Sequence, residues 1–193
     1  MNRREDILEA ATKSFSLFGY KATTVEQVAK IANVGKGTVY TFFENKQQLL
    51  HFAVKDLIEQ MQHEADHTLN PAADFMTNAH NGLMKMLQFR DQHLLFVKLL
   101  EEERQLATPE VREILVQIED EIVSYLAKYI EKGIEKREVV QCEPKHVAYL
   151  LLKAYKAFIV DWQAIYNETL PEQEILKLFE ITIFKGLAQK SDT

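Results

Sequence analysis

Two histidines in the segment HEADH, residues 63–67, match the His-Glu-x-x-His pattern of zinc hydrolases. Residues four apart share one face of a helix, so the pair could hold a metal while Glu64 acts as general base. A catalytic zinc needs a third ligand, and the extended pattern would place it six residues after His67, where the chain has Ala73. We therefore predict no catalytic residue and no metal site. Incidental metal capture by His63 and His67 remains open.

The rest of the sequence carries none of the other familiar enzymatic motifs. It has no glycine-rich phosphate loop, no Gly-x-Ser-x-Gly turn that presents a nucleophile, and no activated cysteine–histidine pair. We predict that the protein is not an enzyme and uses no cofactor.

The segment VGKGTVYTFFENK, residues 34–46, combines two glycines, two threonines, three aromatic residues and two lysines. If Val39 faces the core of a short helix, a rotation of about 100° per residue makes Gly37 and Thr41 point outward. The outward face is then small and polar. Such a face suits the DNA major groove, because a missing side chain lets the backbone approach and threonine can contact thymine through its methyl group.

Short helices precede and position this segment. A first helix is predicted from Arg4 to Gly19, where glycine is a usual stop. Thr24 begins a capping-box pattern that opens a second helix of about nine residues. A turn at residues 33–35 leads to a third short helix near Lys36. Two short helices joined by a tight turn with a glycine form a helix-turn-helix pattern.

The segment FGYKATTVEQVAKIANVGKGTVYTFFENKQQLL, residues 18–50, resembles the DNA-binding domain of the TetR family of bacterial transcriptional regulators. The resemblance covers about a quarter of the chain and lies in a fixed order of glycine, threonine and aromatic residues. The matching positions are Gly19, Tyr20, Thr23, Thr24, Val25, Val28, Ala29, Val34, Gly37, Thr38, Tyr40, Phe43, Lys46 and Leu49.

This resemblance implies an all-α fold of about nine helices. Its N-terminal three-helix helix-turn-helix domain would span residues 1–47, and a larger helical effector-binding and dimerisation domain would span residues 48–193.

Carried onto matching positions, the resemblance also implies a set of DNA contacts. Thr24 would cap its helix near the phosphate backbone. The contacts of the recognition helix and the phosphate clamps would be Lys36, Gly37, Thr38, Tyr40, Thr41 and Lys46. Gly35 departs from the family pattern, which often has a capping serine there, and Phe42 stands where tyrosine is frequent. We expect Phe42 and Phe43 to pack in the core.

Charge is distributed unevenly along the 193 residues. The first fifty contain seven Lys or Arg residues against five Asp or Glu residues, whereas the rest contain 16 against 24. If the chain binds a polyanion, it does so through its first fifty residues. No apolar run approaches the roughly 18 residues of a membrane span, and the N-terminus lacks the apolar core of a signal peptide, so we expect a cytoplasmic protein.

After residue 44 the pattern changes to long helices, several of which are opened by proline. They are predicted at residues 45–67, 71–89, 93–107, 109–136, 144–167 and 171–188. The last two are apolar on more than one face. We therefore predict that they pair with their symmetry mates in a four-helix bundle, which makes the protein a homodimer.

Aromatic and methionine side chains of the later helices are the candidates for an effector pocket. Glu103 joins them because it falls on an apolar stripe, where it must pair with an internal Arg or Lys or meet a cationic ligand. Glu101 and Glu102 are expected to be solvated. The full candidate set is Met61, Met86, Phe89, Phe96, Glu103, Tyr125, Tyr155, Phe158, Trp162 and Tyr166.

The resemblance, taken together with these patterns, implies a ligand-responsive transcriptional repressor. It would bind a palindromic operator in double-stranded DNA as a homodimer, and a small hydrophobic effector would release it. The alternatives are an activator of the same fold and a helical metal- or ligand-binding protein that does not bind DNA.

Overall fold

The computed structural model describes residues 2–88 and 94–189, and these residues form nine continuous helices. The first seven are α1 (Arg3–Ala22), α2 (Val25–Ile31), α3 (Lys36–Phe42), α4 (Lys46–Thr68), α5 (Phe75–Gln88), α6 (Leu94–Leu106) and α7 (Pro109–Glu135). Helix α8 begins at Pro144 and α9 at Glu172. The predicted all-α fold is confirmed. No described helix is both long enough and apolar enough to cross a membrane.

Helices α8 and α9 each change their winding part-way along. Helix α8 is α-helical over Pro144–Lys156, π-helical over Ala157–Asp161 and α-helical again over Trp162–Tyr166. Helix α9 has the same order, with Glu172–Phe179, a π segment at Glu180–Phe184, and Lys185–Leu187. A π segment adds one residue to a turn and is frequent at functional sites.

Most helix starts agree with the predictions, but α5 begins later than residue 71. The Asp74 carboxylate accepts a hydrogen bond of 2.7 Å from the backbone N–H of Thr77, so it caps a helix that begins at Phe75. Pro71 lies in the turn before this cap. The sequence predicts a helix start at residue 71, but the capping carboxylate of Asp74 sets the start of α5.

Two compact units make up the chain. One comprises Met1–Gln62 and Asp91–Ile118, and the other comprises His63–Arg90 and Glu119–Thr193. The compact units are defined by packing, whereas the predicted boundary after residue 47 separates a DNA-binding function from an effector-binding one. That boundary therefore stays a prediction.

The first unit packs around α1. The buried side chains of this helix include Ile7, Ala10, Ala11 and Phe15, and their helical spacing places them on one face. Val39 of helix α3 is also fully buried, in the inward position that the sequence predicted.

The second unit contains two apolar clusters. The first, called here the α8–α9 cluster, consists of the buried residues Leu87, Ile159, Leu170, Ile175, Leu176, Phe179 and Phe184. The second consists of Val123, Ile130, Val139, Ala148, Leu152 and Leu187. Both π segments contribute residues to the α8–α9 cluster, since Ile159 and Phe184 belong to them.

Candidate DNA interface and ligand-binding region

Helix α2 starts with the capping box that the sequence predicted. The Thr24 hydroxyl accepts from the Gln27 backbone N–H at 3.2 Å, and the Gln27 side chain accepts from the Thr24 backbone N–H at 2.8 Å. The two bonds satisfy N–H groups that a helix start leaves without partners. Thr24 is exposed, so its side chain lies at the surface where the predicted phosphate contact would form.

Helix α3 presents a face with little side-chain bulk. Val39 is fully buried on one side, whereas Gly37, Tyr40 and Thr41 are exposed. A Cβ atom added at Gly37 would meet no atom within 4 Å. Packing within the chain therefore does not require glycine at this position, and the empty space faces outward.

The start of α3 lacks a side-chain cap. Gly35 occupies the N-cap position with φ −72° and ψ 147°, and no side-chain hydrogen bond closes the first turn. This backbone conformation is open to any residue. The absent hydroxyl is the departure from the family pattern that the sequence showed.

Lys36 forms an ion pair with Glu26 of α2. Its hydrogen bond to Glu26 lowers the pKa of the Glu26 carboxyl and raises the pKa of the Lys36 ammonium group above its ordinary value. The Lys36 ammonium also lies 5.9 Å from the centroid of the Tyr40 ring. Both partners of the pair are exposed, so a phosphate group can compete with Glu26 for the lysine.

Lys46 is bound to the backbone of the turn between α1 and α2. Its ammonium donates to the carbonyl oxygens of Tyr20 at 2.9 Å and Thr23 at 3.0 Å, and it lies 4.3 Å from the centroid of the Tyr20 ring. An ammonium group has three N–H donors, and these bonds use two of them. The phosphate contact of Lys46 stays a prediction, and the structure adds a role in holding this turn.

The two phenylalanines after α3 have different surroundings. Phe43 is buried and contacts the Phe52 ring, with centroids 5.8 Å apart. Phe42 is 39% exposed, so the prediction that it packs in the core was wrong. The reason is local: α3 ends at Phe42, and the extended backbone of Phe43 then carries that ring into the core.

Glu102 of α6 is buried, although it was expected to be solvated. Its carboxylate accepts hydrogen bonds from the backbone N–H of Tyr20 at 2.6 Å and from that of Lys21 at 3.0 Å. The Thr108 hydroxyl donates to it at 3.0 Å. Three donors therefore replace water around this buried group.

Gly19 makes room for this carboxylate. Its φ of 81° and ψ of 172° interrupt the helical geometry of α1, close to the predicted end of the first helix. A positive φ favours glycine, and a Cβ atom here would lie 2.5 Å from Oε2 of Glu102. Both the backbone conformation and the approach of Glu102 therefore require glycine.

Burial also affects Tyr20, which follows this break. It raises the pKa of the Tyr20 hydroxyl to about 12, and the negative charges of Glu110 and Glu102 add to the effect.

Glu103 accepts a hydrogen bond of 3.0 Å from Nε of Arg112, whose side chain is exposed. The sequence leaves two partners open for Glu103, an internal Arg or Lys and a cationic ligand, and this bond to Arg112 corresponds to the first. Its contact with an effector stays a prediction.

The apolar stripe predicted to include Glu103 is displaced by one position, since the buried face of α6 includes Leu95, Leu99 and Glu102. The helix ends at Leu106, one residue before the predicted end at residue 107, and Leu106 is exposed.

The aromatic residues predicted for the pocket lie in part around the α8–α9 cluster. Tyr155, Phe158 and Trp162 are half-buried and pack against it. Tyr166 stacks on Trp162 with ring centroids 4.3 Å apart. The Tyr155 hydroxyl donates to the carbonyl oxygen of Met86 at 3.4 Å. The structure thus brings these five predicted residues together.

Other predicted pocket residues lie elsewhere. Met61 and Phe96 belong to the first compact unit. Tyr125 belongs to a polar cluster on α4 and α7, and Phe89 lies outside the described residues. Sequence reasoning missed Met76, Leu83 and Met84 of α5, which also pack against the α8–α9 cluster. Leu83 and Met84 follow Met76 by seven and eight residues, a helical spacing that could have indicated their common apolar face.

The polar cluster centres on Asp66. The Tyr125 hydroxyl donates to Oδ1 of Asp66 at 2.8 Å, and the Tyr129 hydroxyl donates to the same oxygen. The bond from Tyr129 lowers the pKa of the Asp66 carboxyl. Burial, together with the hydrogen bond to Asp66, raises the pKa of both tyrosine hydroxyls.

The histidines of the zinc-like motif face one another at the surface. Their Nε2 atoms are 3.1 Å apart. Within residues 2–88 and 94–189, no group of three or more His, Cys, Asp or Glu side chains is arranged to hold a metal ion. The described surroundings of the pair therefore offer no third ligand for a catalytic zinc.

Comparison with known proteins identifies the family. A family model described as bacterial regulatory proteins, tetR family, matches residues 7–52. The HTH-type transcriptional regulator YhgD of Bacillus subtilis (strain 168) is 42% identical over 188 residues, which cover 97% of this chain and 98% of that protein. The chain belongs to the TetR family. The resemblance drawn from residues 18–50 is confirmed, and the relatives are transcription regulators with a helix-turn-helix domain.

Solved structures of regulators have the same fold. Reduced E. coli NemR has a TM-score of 0.80 at 18% identity, over 99% of this chain and 100% of that one. FadR of Bacillus halodurans, a fatty acid degradation regulator, has a TM-score of 0.77 at 18% identity and covers 98% of both chains. FadR of Bacillus subtilis, solved with stearoyl-CoA, has a TM-score of 0.73 at 19% identity over 90% of this chain and 96% of that one.

Proposed function

We propose that this TetR-family regulator is a homodimeric repressor that binds a palindromic operator through α3 and leaves it when a small hydrophobic effector binds. The observation that carries the proposal is the outward face of α3. Gly37 lies there with no atom within 4 Å of an added Cβ, beside exposed Tyr40 and Thr41. Glycine in a helix weakens it, so its presence at an uncrowded position fits a close approach of the backbone to DNA.

The charged and hydroxyl groups beside this face supply anchors for phosphates. Lys36 and Tyr40 lie at the exposed surface of α3, and Thr24 lies at the start of α2. Such contacts set the position of a recognition helix, while Gly37, Thr38 and Thr41 would face the bases.

Exposed apolar side chains on α8 and α9 support the dimer. The large ones are Tyr149, Leu150, Ile165, Tyr166 and Ile181, each more than half exposed. Covering them with the same helices of a second copy would remove this apolar surface from water. Two copies would also present two recognition helices to the two half-sites of a palindrome.

The half-buried residues around the α8–α9 cluster support a hydrophobic effector. Methionine and aromatic side chains line it, and methionine adapts readily to the shape of a ligand. The structurally similar FadR of Bacillus subtilis was solved with stearoyl-CoA. We infer that the present protein also responds to a molecule with a long apolar part.

Release follows from a shift between two conformations of the dimer. The two conformations would differ in the position of α4 (Lys46–Thr68), which follows directly after the helix-turn-helix segment. An effector shifts the equilibrium only by its difference in affinity for the two conformations. A changed separation of the two α3 helices would then no longer fit successive major grooves.

A gel-shift titration with DNA from the flanks of the protein's own gene tests the proposal. We expect a specific complex that a scrambled DNA of equal length does not form. Its affinity should fall steeply with salt, because each neutralised phosphate releases counterions. Failure to shift any flanking fragment, or an affinity independent of salt, would contradict operator binding.

Two alternatives have distinct results in the same experiments. An activator would bind DNA equally well but raise transcription of a reporter gene placed behind the bound fragment, whereas a repressor lowers it. A helical metal- or ligand-binding protein would bind neither the flanking DNA nor the scrambled DNA.

We also propose that the protein is cytoplasmic, because the DNA that the proposed repressor binds is chromosomal.

A further inference from the structure

The indole N–H of Trp162 is buried without a hydrogen-bond acceptor. Among the residues that the structure describes, only Oγ of Ser14 and Nε1 of Trp162 are buried side-chain atoms in this condition. A serine hydroxyl can rotate toward a new partner, but the ring plane fixes the direction of the indole N–H. Tryptophan normally finds a partner for this group when it is buried, so the exception calls for an explanation.

The ring of Trp162 is held in place by its neighbours. It packs against the α8–α9 cluster, and the Tyr166 ring stacks on it at 4.3 Å between centroids. Apolar side chains of α5, including Leu83 and Met84, pack against the same cluster. Trp162 therefore cannot bring its N–H to water without losing these contacts.

The winding of α8 sets the direction in which Trp162 points. This residue follows the π segment Ala157–Asp161, and its backbone N–H donates to the carbonyl oxygen of Ala157, five residues earlier. One extra residue in a turn rotates every later side chain by about 100° around the helix. A regular α-helix would therefore direct Trp162 elsewhere, and the π segment keeps it against the cluster.

The surroundings select the chemistry of a partner for this N–H. The partner must supply an acceptor, and the aliphatic, aromatic and methionine side chains packed in and around the same cluster favour an apolar remainder. A neutral carbonyl oxygen can accept this hydrogen bond and costs less to remove from water than a carboxylate. An amine or ammonium group would add donors for which this N–H offers no acceptor.

We propose that Nε1 of Trp162 is the hydrogen-bond donor that binds a neutral carbonyl group of the effector, within a ligand whose remainder is an apolar chain. This proposal rests on the proposed function and specifies the ligand class of the same regulator. Esters, thioesters and ketones with long alkyl chains have the required chemistry. In the absence of such a ligand, the N–H remains unpaired.

A pair of isosteric probes tests the proposal in the full-length protein. The probes are methyl undecyl ketone and the alkene in which a CH₂ group replaces the carbonyl oxygen. Calorimetric titration should show that the ketone binds about tenfold more tightly than the alkene, as expected for one hydrogen bond to an otherwise unsatisfied donor. Trp162 is the chain's one tryptophan, so its emission should shift with the ketone and follow the same titration curve.

The Trp162→Phe variant removes the donor and keeps an aromatic ring. It should lose the preference for the ketone, and the alkene should bind at least as tightly, because the carbonyl would then leave water without a hydrogen-bond partner. The matched control is Tyr129→Phe, which removes a hydroxyl of the Asp66 cluster and is not one of the predicted pocket residues. It should keep the preference for the ketone.

Equal affinity of the wild-type protein for the two probes, or no binding of either, would overturn the proposal. So would a Trp162→Phe variant that still prefers the ketone. A gel shift without probe tests operator binding independently. A protein that shifts its DNA but does not distinguish the probes would therefore refute this inference and leave the proposed function standing.

Discussion

The two compact units hold their helices together in different ways. In the first unit, Glu102 and Lys46 join segments distant in the sequence through hydrogen bonds to backbone groups. Glu102 accepts from the N–H groups of Tyr20 and Lys21, and Lys46 donates to the carbonyl oxygens of Tyr20 and Thr23. Backbone groups are fixed by their helices and turns, so such contacts define the position of α1 relative to α4 and α6.

In the second unit, several of the corresponding contacts join side chain to side chain. Lys153 and Lys156 of α8 both donate to Glu119 of α7. His80 of α5 pairs with Glu180 in the π segment of α9. Side chains of this kind can exchange partners or turn to solvent at modest cost.

This difference matches the tasks proposed for the two units. A DNA-reading surface must keep its geometry, because a recognition helix that is displaced loses its contacts with base edges. A ligand-binding unit must repack when a ligand enters, so contacts that can be exchanged are an advantage. The comparison predicts that loss of a backbone-anchored contact costs more stability than loss of a side-chain pair.

The largest effect is expected from Glu102→Ala. The substitution removes the acceptor of two backbone N–H groups, the buried one of Tyr20 and the partly buried one of Lys21, so the free energy of unfolding should fall by about 3 kcal/mol. Urea denaturation measures this change. The control is Glu101→Ala, whose side chain is only partly buried and lies 3.4 Å from Lys98. If Glu102→Ala lowers the free energy of unfolding no more than Glu101→Ala does, the proposed difference between the two compact units is wrong.

Glu119→Gln should cost less, about 1 kcal/mol at neutral pH, because the two lysines can turn toward solvent. Burial by itself raises the pKa of Glu119, but hydrogen bonds from Lys153 and Lys156 outweigh it and hold the pKa below its ordinary value.

The stabilisation from Glu119 is therefore present above the ordinary pKa of a glutamate and is lost as the pH falls through the lowered one. Urea denaturation across this acidic range should show the curves of wild type and Glu119→Gln converging at low pH. A difference that does not depend on pH would show that the ion pairs are not its source.

Gly37→Ala should raise the free energy of unfolding by about 0.5–1 kcal/mol, since alanine is the better helix former and no atom obstructs its methyl group. Its affinity for operator DNA should fall, because the methyl group keeps the backbone from the groove. Denaturation and gel-shift titrations of the same preparation compare the two effects. A gain in both stability and affinity would argue against close approach at Gly37.

Gly35→Ser adds to the first unit one more contact between a side chain and the backbone. A serine hydroxyl at this N-cap should stabilise α3 by a few tenths of a kcal/mol, because glycine is already an acceptable cap. The unfolding midpoint in urea should rise slightly with an unchanged slope. Gly35→Ala is the control, and an equal rise with alanine would exclude capping as the cause.

The DNA-binding elements were predictable because their signals are local. The capping box at Thr24, the break at Gly19 and the inward Val39 each depend on a few neighbouring residues, and the structure has all three. Phe42 was misjudged, because which of two adjacent rings enters the core depends on where α3 ends and not on residue type.

The buried position of Glu102 was not predictable from its own helix. Three glutamates follow one another there, and the buried one is chosen by the broken end of α1 at Gly19, which lies more than 80 residues earlier in the chain. The π segments also carry no signal in the hydrophobic pattern, so the direction of Trp162 emerged only from the structure. Both features depend on packing between distant parts of the sequence.

The DNA affinity of Thr38→Glu is the most direct test of the claim that α3 reads DNA. Thr38 lies at the partly exposed flank of this helix, and the carboxylate would replace a small contact by repulsion from the phosphates. Asn81→Glu adds the same charge at an exposed position of α5 and serves as the control. Fluorescence anisotropy with operator DNA should show a loss of roughly 30-fold or more for Thr38→Glu and little change for the control. Equal affinities of the two variants, with both folded, would contradict the account.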